Sequence, residues 1–151
     1  MKTTKSKIQM KTLRIIIAAL FMAISSAVAQ QTISISELVN TKWRVENNWI
    51  SDYKEYTLTE IIWKRKDGSF FKYPYYLTDT PVTSHDKSAF DYSKVGKTKK
   101  GSYMVSINER GGIVCCASIE SFDKKKGVLV IKVVTQGVTG AGGIDRFKLV
   151  K

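Results

Sequence analysis

Beyond residue 40, apolar residues recur mostly at every second position, and short clusters of turn-forming residues interrupt this alternation. A period of two is typical of β-strands, because successive side chains of a strand point to opposite faces of the sheet. Asp67 and Gly68 between two such runs indicate a tight hairpin, since both residues tolerate the positive φ of a type I′ turn. The spacing predicts about seven or eight strands and no second domain.

Most of the predicted strands carry a row of apolar side chains that we expect to face a shared interior. These rows are Trp43 and Val45; Phe71, Tyr73, Tyr75 and Leu77; Tyr103, Val105 and Ile107; Ile113, Cys115, Ala117 and Ile119; and Phe147 and Leu149. Residues 128–134 are nearly all apolar, which indicates a strand covered on both faces. A short helical turn is predicted over residues 34–39, where serines can cap it.

A flat antiparallel sheet with this pattern would expose one hydrophobic face and two unpaired edges. Closing the sheet on itself buries the apolar rows and removes both edges. We therefore expect an all-β fold, an antiparallel up-and-down barrel preceded by the short helical turn. A barrel of about eight strands is either filled by its own side chains or keeps room for one small ligand, and the sequence leaves both alternatives open.

Residues 1–29 differ from the rest of the chain and have the features of a secretory signal peptide. Five basic residues precede an apolar stretch at residues 15–24, and the segment holds no acidic residue. Ala27 and Ala29 are the small residues that a signal peptidase requires before its cleavage site. The stretch is shorter than the roughly 20 residues that cross a bilayer, so we expect no membrane span. The predicted mature domain covers residues 30–151 and works in the periplasm or outside the cell.

Cleavage after residue 29 changes the electrostatic picture. The whole chain carries a formal charge of +12, but five of its 25 basic residues lie in the leader, which leaves 20 against 13 acidic residues. The remaining basic runs, at residues 64–66, 97–100 and 124–126, fall at predicted turns and strand ends, where they favour solubility. An anionic polymer of the cell envelope is an alternative partner for them. We expect no nucleic-acid partner and a monomeric protein.

The chain offers little of the chemistry that catalysis or metal binding needs. Cys115 and Cys116 are adjacent, so we expect one small buried hydrophobic residue and one more exposed thiol. His85 is the single histidine, so the chain supplies too few ligands for a metal site and only one candidate base for a nucleophile. Glu60 and Glu120 lie in strands and could in principle form a glycosidase pair, but single acids on the solvated face of a sheet are the more ordinary interpretation. We expect no enzymatic activity, no metal and no cofactor.

Several segments of the mature chain form a recognisable pattern. In residues 38–43, the spacing is Leu38-x-Asn40-x-x-Trp43. Residues 75–81, 90–97 and 101–103 belong to the same pattern. The first segment resembles the Leu-x-Gly-x-x-Trp opening of lipocalin-like barrels, with Asn40 in place of the glycine, and the others resemble small exported lipocalin-like proteins of Bacteroidetes bacteria. This resemblance spans roughly residues 38–150. It implies a calycin-type barrel whose floor is closed by the tryptophan and whose natural ligand is usually unknown.

The mature domain is rich in aromatic side chains, which either pack a core or line a cavity for an apolar, planar or sugar ligand. The candidate ligand-binding residues are Trp43, Trp63, Phe71, Tyr73, Tyr75, Tyr103 and Phe147. We expect the irregular residues 78–101 and the glycine-rich residues 137–143 to frame one mouth of the barrel. Tyr75, Tyr76 and Phe90 are predicted to lie near that mouth.

These observations favour an exported lipocalin-like protein that binds a small apolar or amphipathic ligand in its barrel. The alternative is a filled barrel that serves as a protein or glycan interaction module of the cell envelope. A connected cavity of roughly 300 Å³ or more, lined by aromatic rings, would favour the first hypothesis. An interior packed solid by Trp43, Tyr103, Ile119 and Phe147 would favour the second.

Overall fold

The structure is a computed structural model that describes residues 30–46 and 52–151. The predicted signal peptide at residues 1–29 and the side chain of Trp49 lie outside the described residues. Gln31 is already part of the domain: its backbone N–H donates to the carbonyl of Ile119 at 2.9 Å, and its side-chain amide bonds both backbone polar groups of Phe122. The folded domain therefore includes the residues that directly follow the predicted cleavage site.

The elements follow the alternation in the sequence. The strands are β1 (Ile33–Ser34), β2 (Thr41–Val45), β3 (Tyr53–Tyr56), β4 (Glu60–Lys64), β5 (Phe70–Thr78), β6 (Lys100–Gly101), β7 (Tyr103–Asn108), β8 (Ile113–Asp123), β9 (Val128–Val133) and β10 (Ile144–Leu149). A one-turn helix, α1 (Ile35–Leu38), follows β1, and short 3₁₀ turns occupy Lys87–Ala89 and Tyr92–Lys94. The helix begins where the Glu37 carboxylate accepts the backbone N–H of Ser34 at 2.8 Å.

Within the described residues, eight strands close into one antiparallel barrel in the order β2, β3, β4, β5, β7, β8, β9, β10. Each strand pairs with the next one along the chain, and β10 returns to β2 with Leu149 opposite Trp43. β1 and β6 form a separate two-stranded sheet. The predicted all-β, up-and-down barrel is confirmed, and its closure pairs both edges of the sheet.

One end of the barrel, which we call the closed half, is filled by large side chains. Its buried rings, each at most 1% exposed, are Trp43, Tyr56, Tyr75 and Phe147. The indole N–H of Trp43 donates to the Thr41 hydroxyl at 2.7 Å, and that hydroxyl donates to the carbonyl of Leu38 in α1. Trp43 is thus fixed at a filled end of the barrel, which is the place that the lipocalin-like resemblance implies for it.

The turn from α1 into β2 depends on Asn40. This residue has a φ of 61°, in the left-handed region that glycine adopts freely and asparagine tolerates better than most residues. Its backbone N–H donates to the carbonyl of Tyr56 at 2.9 Å, which joins the turn to β3. Asn40 is therefore compatible with a turn that a glycine at this position would also form.

Residues 79–99, which we call the outer strap, cover the outside of β5, β7 and β8. Phe90 of the strap packs against a buried cluster on these strands, formed by Tyr76, Val105, Ile107, Val114 and Cys116. Backbone hydrogen bonds fasten the strap: the N–H of Val114 donates to the carbonyl of His85, and that of Gln136 to the carbonyl of Thr83, both at 2.9 Å. This part of the barrel wall is consequently buried on both faces.

The outer strap explains why the predicted orientation of β7 was wrong. Tyr103, Val105 and Ile107 point outward into the cluster beneath the strap, whereas Met104 belongs to the interior core. Alternation defines the two faces of a strand without defining which face lies inside. Because the strap buries the outer face, both faces of β7 are rich in apolar residues. Tyr103 therefore does not pack the barrel interior.

Candidate functional site

The half of the barrel opposite the Trp43 floor, which we call the open half, contains a cavity of about 470 Å³. Strands β3, β4, β5, β7 and β8 contribute its walls, while His85 of the outer strap and residues 137–139 of the β9–β10 connection border it. This volume exceeds the roughly 300 Å³ at which small-molecule pockets begin. The barrel interior is therefore filled at one end and open at the other.

Aromatic and aliphatic side chains form one wall of the cavity. Ile61 and Trp63 of β4 lie beside Tyr73 of β5, and the ring centroids of Trp63 and Tyr73 are 6.4 Å apart. The indole N–H of Trp63 donates to the Asp52 carboxylate at 2.9 Å, which fixes the orientation of the ring. Phe71 stacks on Tyr73 at an interplanar angle of 19° and extends this wall toward the rim. The wall offers flat apolar surface to a ligand.

The adjoining wall, formed by β7 and β8, adds polar side chains to the apolar Ile113. Ser106 and Asn108 of β7 lie beside Cys115 of β8, and the Ser106 hydroxyl donates to the carbonyl of Cys115 at 3.4 Å. A cavity lined by both apolar and polar side chains fits a ligand that has both kinds of surface.

The two cysteines differ as the sequence predicts. Cys115 points into the barrel and is half-buried, whereas Cys116 points outward and is buried beneath the outer strap; both are free thiols. Burial raises the pKa of both thiols, that of Cys116 to about 11. The Sγ of Cys116 also accepts the backbone N–H of Val82 at 3.4 Å. Cys116 thus helps to hold the strap, and Cys115 is the thiol that a small molecule in the cavity would meet.

Lys54 is the cavity residue that the sequence reasoning missed. It lies on β3 between Trp43 and Trp63, with which it pairs in register on the two neighbouring strands. Its Nζ lies 5.3 Å from the ring centroid of Trp63 and 4.9 Å from that of Phe147. Burial lowers the pKa of Lys54, against the opposing effects of Asp145 and Cys115. The available signal was the alternation Lys54–Glu55–Tyr56, in which an inward tyrosine places the lysine inside as well.

Residues 78–101 and 137–143 were expected to frame the mouth of the cavity, and the structure confirms part of this expectation. The outer strap leaves the barrel after Thr78 at the closed end, runs along the outer wall and reaches the rim at His85. There the ring Nδ1 lies 3.2 Å from the carbonyl of Gln136. Gly137 has a φ of 74° and passes so near His85 that a Cβ would lie 3.0 Å from the ring. The strap and the glycine-rich connection therefore do meet at the mouth.

Tyr75, Tyr76 and Phe90 do not lie near that mouth, and this expectation was wrong. Tyr75 is buried in the closed half, where its hydroxyl donates to the carbonyl of Thr57 at 2.8 Å. Tyr76 and Phe90 pack against each other outside the barrel, with ring centroids 5.1 Å apart. Most of the strap covers apolar side chains on the outer wall of the barrel. Its buried aromatic residue, Phe90, therefore packs on that wall and not at the mouth.

The seven sequence-predicted candidates fall into three groups. Trp63 and Tyr73 line the cavity, and Phe71 and Phe147 contact residues that line it. Trp43 and Tyr75 fill the closed half instead of facing the cavity. Tyr103 lies on the outer face of β7, so we correct its assignment to the interior.

Other features of the described residues do not compete with this cavity as a site. A concavity of about 550 Å³ beside Asn40, Glu55 and Lys124 lies on the surface at the closed end, and its lining includes a single ring, that of Tyr56. Within residues 30–46 and 52–151, there is no group of three or more metal-ligating side chains. No helix in the same part of the chain is long and apolar enough to cross a membrane.

Comparison with known proteins adds no further identification: no protein-family model matches the chain, and neither curated proteins nor solved structures gave a significant match.

Proposed function

We propose that this protein binds a small amphipathic ligand in the open half of its barrel. The observation that carries the proposal is the cavity of about 470 Å³, which has aromatic rings on the wall formed by β4 and β5 and polar side chains on the adjoining β7. Eight strands enclose an interior of the size that holds one small molecule when side chains do not fill it. Here the closed half is filled and gives rigidity, and the open half keeps the space.

We further propose that the protein acts after export, as an exported lipocalin-like binder. The support is the predicted leader at residues 1–29, together with the hydrogen bonds by which Gln31 joins the folded domain. An intact-mass measurement on protein purified from its native host tests this. We expect a chain that begins at or within a residue or two of Gln30, and a mass that includes residues 1–29 would contradict export.

A fluorescence titration with N-phenyl-1-naphthylamine, an uncharged apolar dye, tests ligand binding. We expect saturable binding at one site per molecule. Tyr73→Ala should weaken it by about threefold to tenfold, the value of one aromatic contact. Tyr92→Ala is the matched control, because Tyr92 is an exposed ring on the outer strap. If no apolar probe binds the wild type, the interaction-module hypothesis replaces this one.

A further inference from the structure

Lys54 is an unusual residue for the interior of a barrel, and its surroundings define what it can bind. Its ammonium group lies against the faces of Trp63 and Phe147, between the filled and open halves. Ring faces stabilise a cation partially but accept none of its three N–H donors. The aliphatic stem of the residue packs in the wall, so its charged end is the part offered to the cavity.

The charged groups around Lys54 leave its ammonium without a close carboxylate. Asp145 of β10 and the thiol of Cys115 on β8 influence it electrostatically. No carboxylate of the described residues, Asp145 and the Trp63-bound Asp52 included, lies within 4.0 Å of its Nζ. On the outer face of the same strand the reverse holds, because Glu55 pairs with two lysines, at 3.0 and 2.9 Å.

We propose that Lys54 is the receptor for an acidic oxyanion, and that the ligand is a small amphipathic acid. This inference rests on the proposed function, because it names the chemistry of the ligand in the same cavity. The carboxylate of the acid accepts a charge-assisted hydrogen bond from the Lys54 ammonium. The apolar body lies against Ile61, Trp63 and Tyr73, and any further polar group meets Ser106 or Asn108.

The energetic argument favours an acid over a neutral ligand of the same shape. Burial lowers the pKa of Lys54, so the ammonium lacks part of the stabilisation that water would give it. An anion in the cavity restores that stabilisation, whereas an alcohol or a hydrocarbon would only displace water. The lysine therefore makes the cavity selective for the charged member of a matched ligand pair.

Two dyes with the same ring system test the proposal: 8-anilino-1-naphthalenesulfonate carries an acidic group, and N-phenyl-1-naphthylamine lacks it. Lys54→Met removes the charge and keeps a side chain of similar length. It should weaken binding of the sulfonate at least about tenfold and change binding of the neutral dye less than about twofold. Lys132→Met is the matched control, since Lys132 is an exposed residue of β9. This control should change neither dye.

A second measurement uses the unmodified protein and so does not depend on the folding of a variant. Decanoate and 1-decanol are titrated as competitors of the neutral dye. The dissociation constant of decanoate should be at least about tenfold lower than that of 1-decanol. If the alcohol competes as well as the acid, or if Lys54→Met weakens both dyes equally, the acid receptor is refuted while cavity binding stands. If neither dye binds the wild type, the proposed function itself fails.

Discussion

The ammonium of Lys54 lies 4.9 Å from the ring centroid of Phe147, at the boundary between the filled and the open halves of the barrel. Phe147 belongs to the buried core, and Lys54 belongs to the wall of the cavity. The contact divides one continuous interior into a part that stabilises the fold and a part that is available to a ligand. Phe147 therefore contributes to the stability of the fold, whereas the neighbouring Lys54 is available to a ligand at a cost in stability.

The first prediction is that Lys54→Met stabilises the protein at neutral pH. The folded-state pKa of Lys54 lies below its usual value of 10.5, so the partly buried charge disfavours folding wherever the side chain is protonated in both states. That penalty is complete below the folded-state pKa and disappears as the pH rises toward 10.5. The free energy of unfolding of the variant, from urea titrations, should exceed that of the wild type near pH 7 and converge with it near pH 10. A variant that is less stable at both pH values would contradict the assignment.

The second prediction separates two buried tyrosines of the closed half. The hydroxyl of Tyr56 is buried without a hydrogen-bond partner, whereas that of Tyr75 donates to the carbonyl of Thr57. Tyr56→Phe removes an unsatisfied polar group, so it should leave the free energy of unfolding unchanged or raise it by up to about 1 kcal/mol. Tyr75→Phe deletes a made hydrogen bond and should lower that energy by about 1 kcal/mol. Equal effects of the two substitutions would show that the hydroxyl of Tyr56 has a partner.

The third prediction concerns the attachment of the outer strap. Thr135 is fully buried; its hydroxyl accepts the N–H of Cys116 at 2.6 Å and donates to the carbonyl of Val82 at 3.2 Å. Thr135→Val leaves both groups unsatisfied and should cost about 1–3 kcal/mol. Thr83→Val, at an exposed position of the strap, is the control and should cost little. Amide hydrogen exchange should accelerate in the strap of the Thr135 variant, and unchanged protection would show that the hydroxyl is dispensable.

The sequence predicts the strand order of the barrel well because all pairings except the closing one, between β10 and β2, join consecutive barrel strands. Alternation, the Asp67-Gly68 hairpin signal and the spacing of turns define strands that pair with their neighbours, and antiparallel neighbours need no long-range information. The inward row of β8, which includes Cys115, could be predicted for the same reason, because alternation depends on residues that lie close together in the chain. The place of Trp43 at a filled end was implied by the lipocalin-like resemblance and not by alternation.

What the sequence could not predict depends on long-range packing. The face of β7 depends on the outer strap, and nothing within Tyr103–Asn108 indicates that a distant segment covers its outer side. The position of Tyr75 in the filled half depends on which barrel end α1 closes. Lys54 was missed because a charged residue in a strand is ordinarily assigned to the solvated face. The prediction was therefore correct for some of the aromatic candidates, such as Trp63 and Tyr73, and it omitted the charged residue of the cavity, Lys54.

Alkylation of Cys115 tests most directly whether a small ligand occupies the open half of the barrel. N-Ethylmaleimide should modify Cys115 faster than Cys116, because Cys116 is buried beneath the strap and burial raises the pKa of its thiol to about 11. We predict that saturating N-phenyl-1-naphthylamine slows modification of Cys115, and that the alkylated protein no longer binds the dye. Cys115→Ser, which keeps the cavity open and cannot be modified, should bind the dye with or without reagent. Full dye binding by protein alkylated at Cys115 would contradict the account.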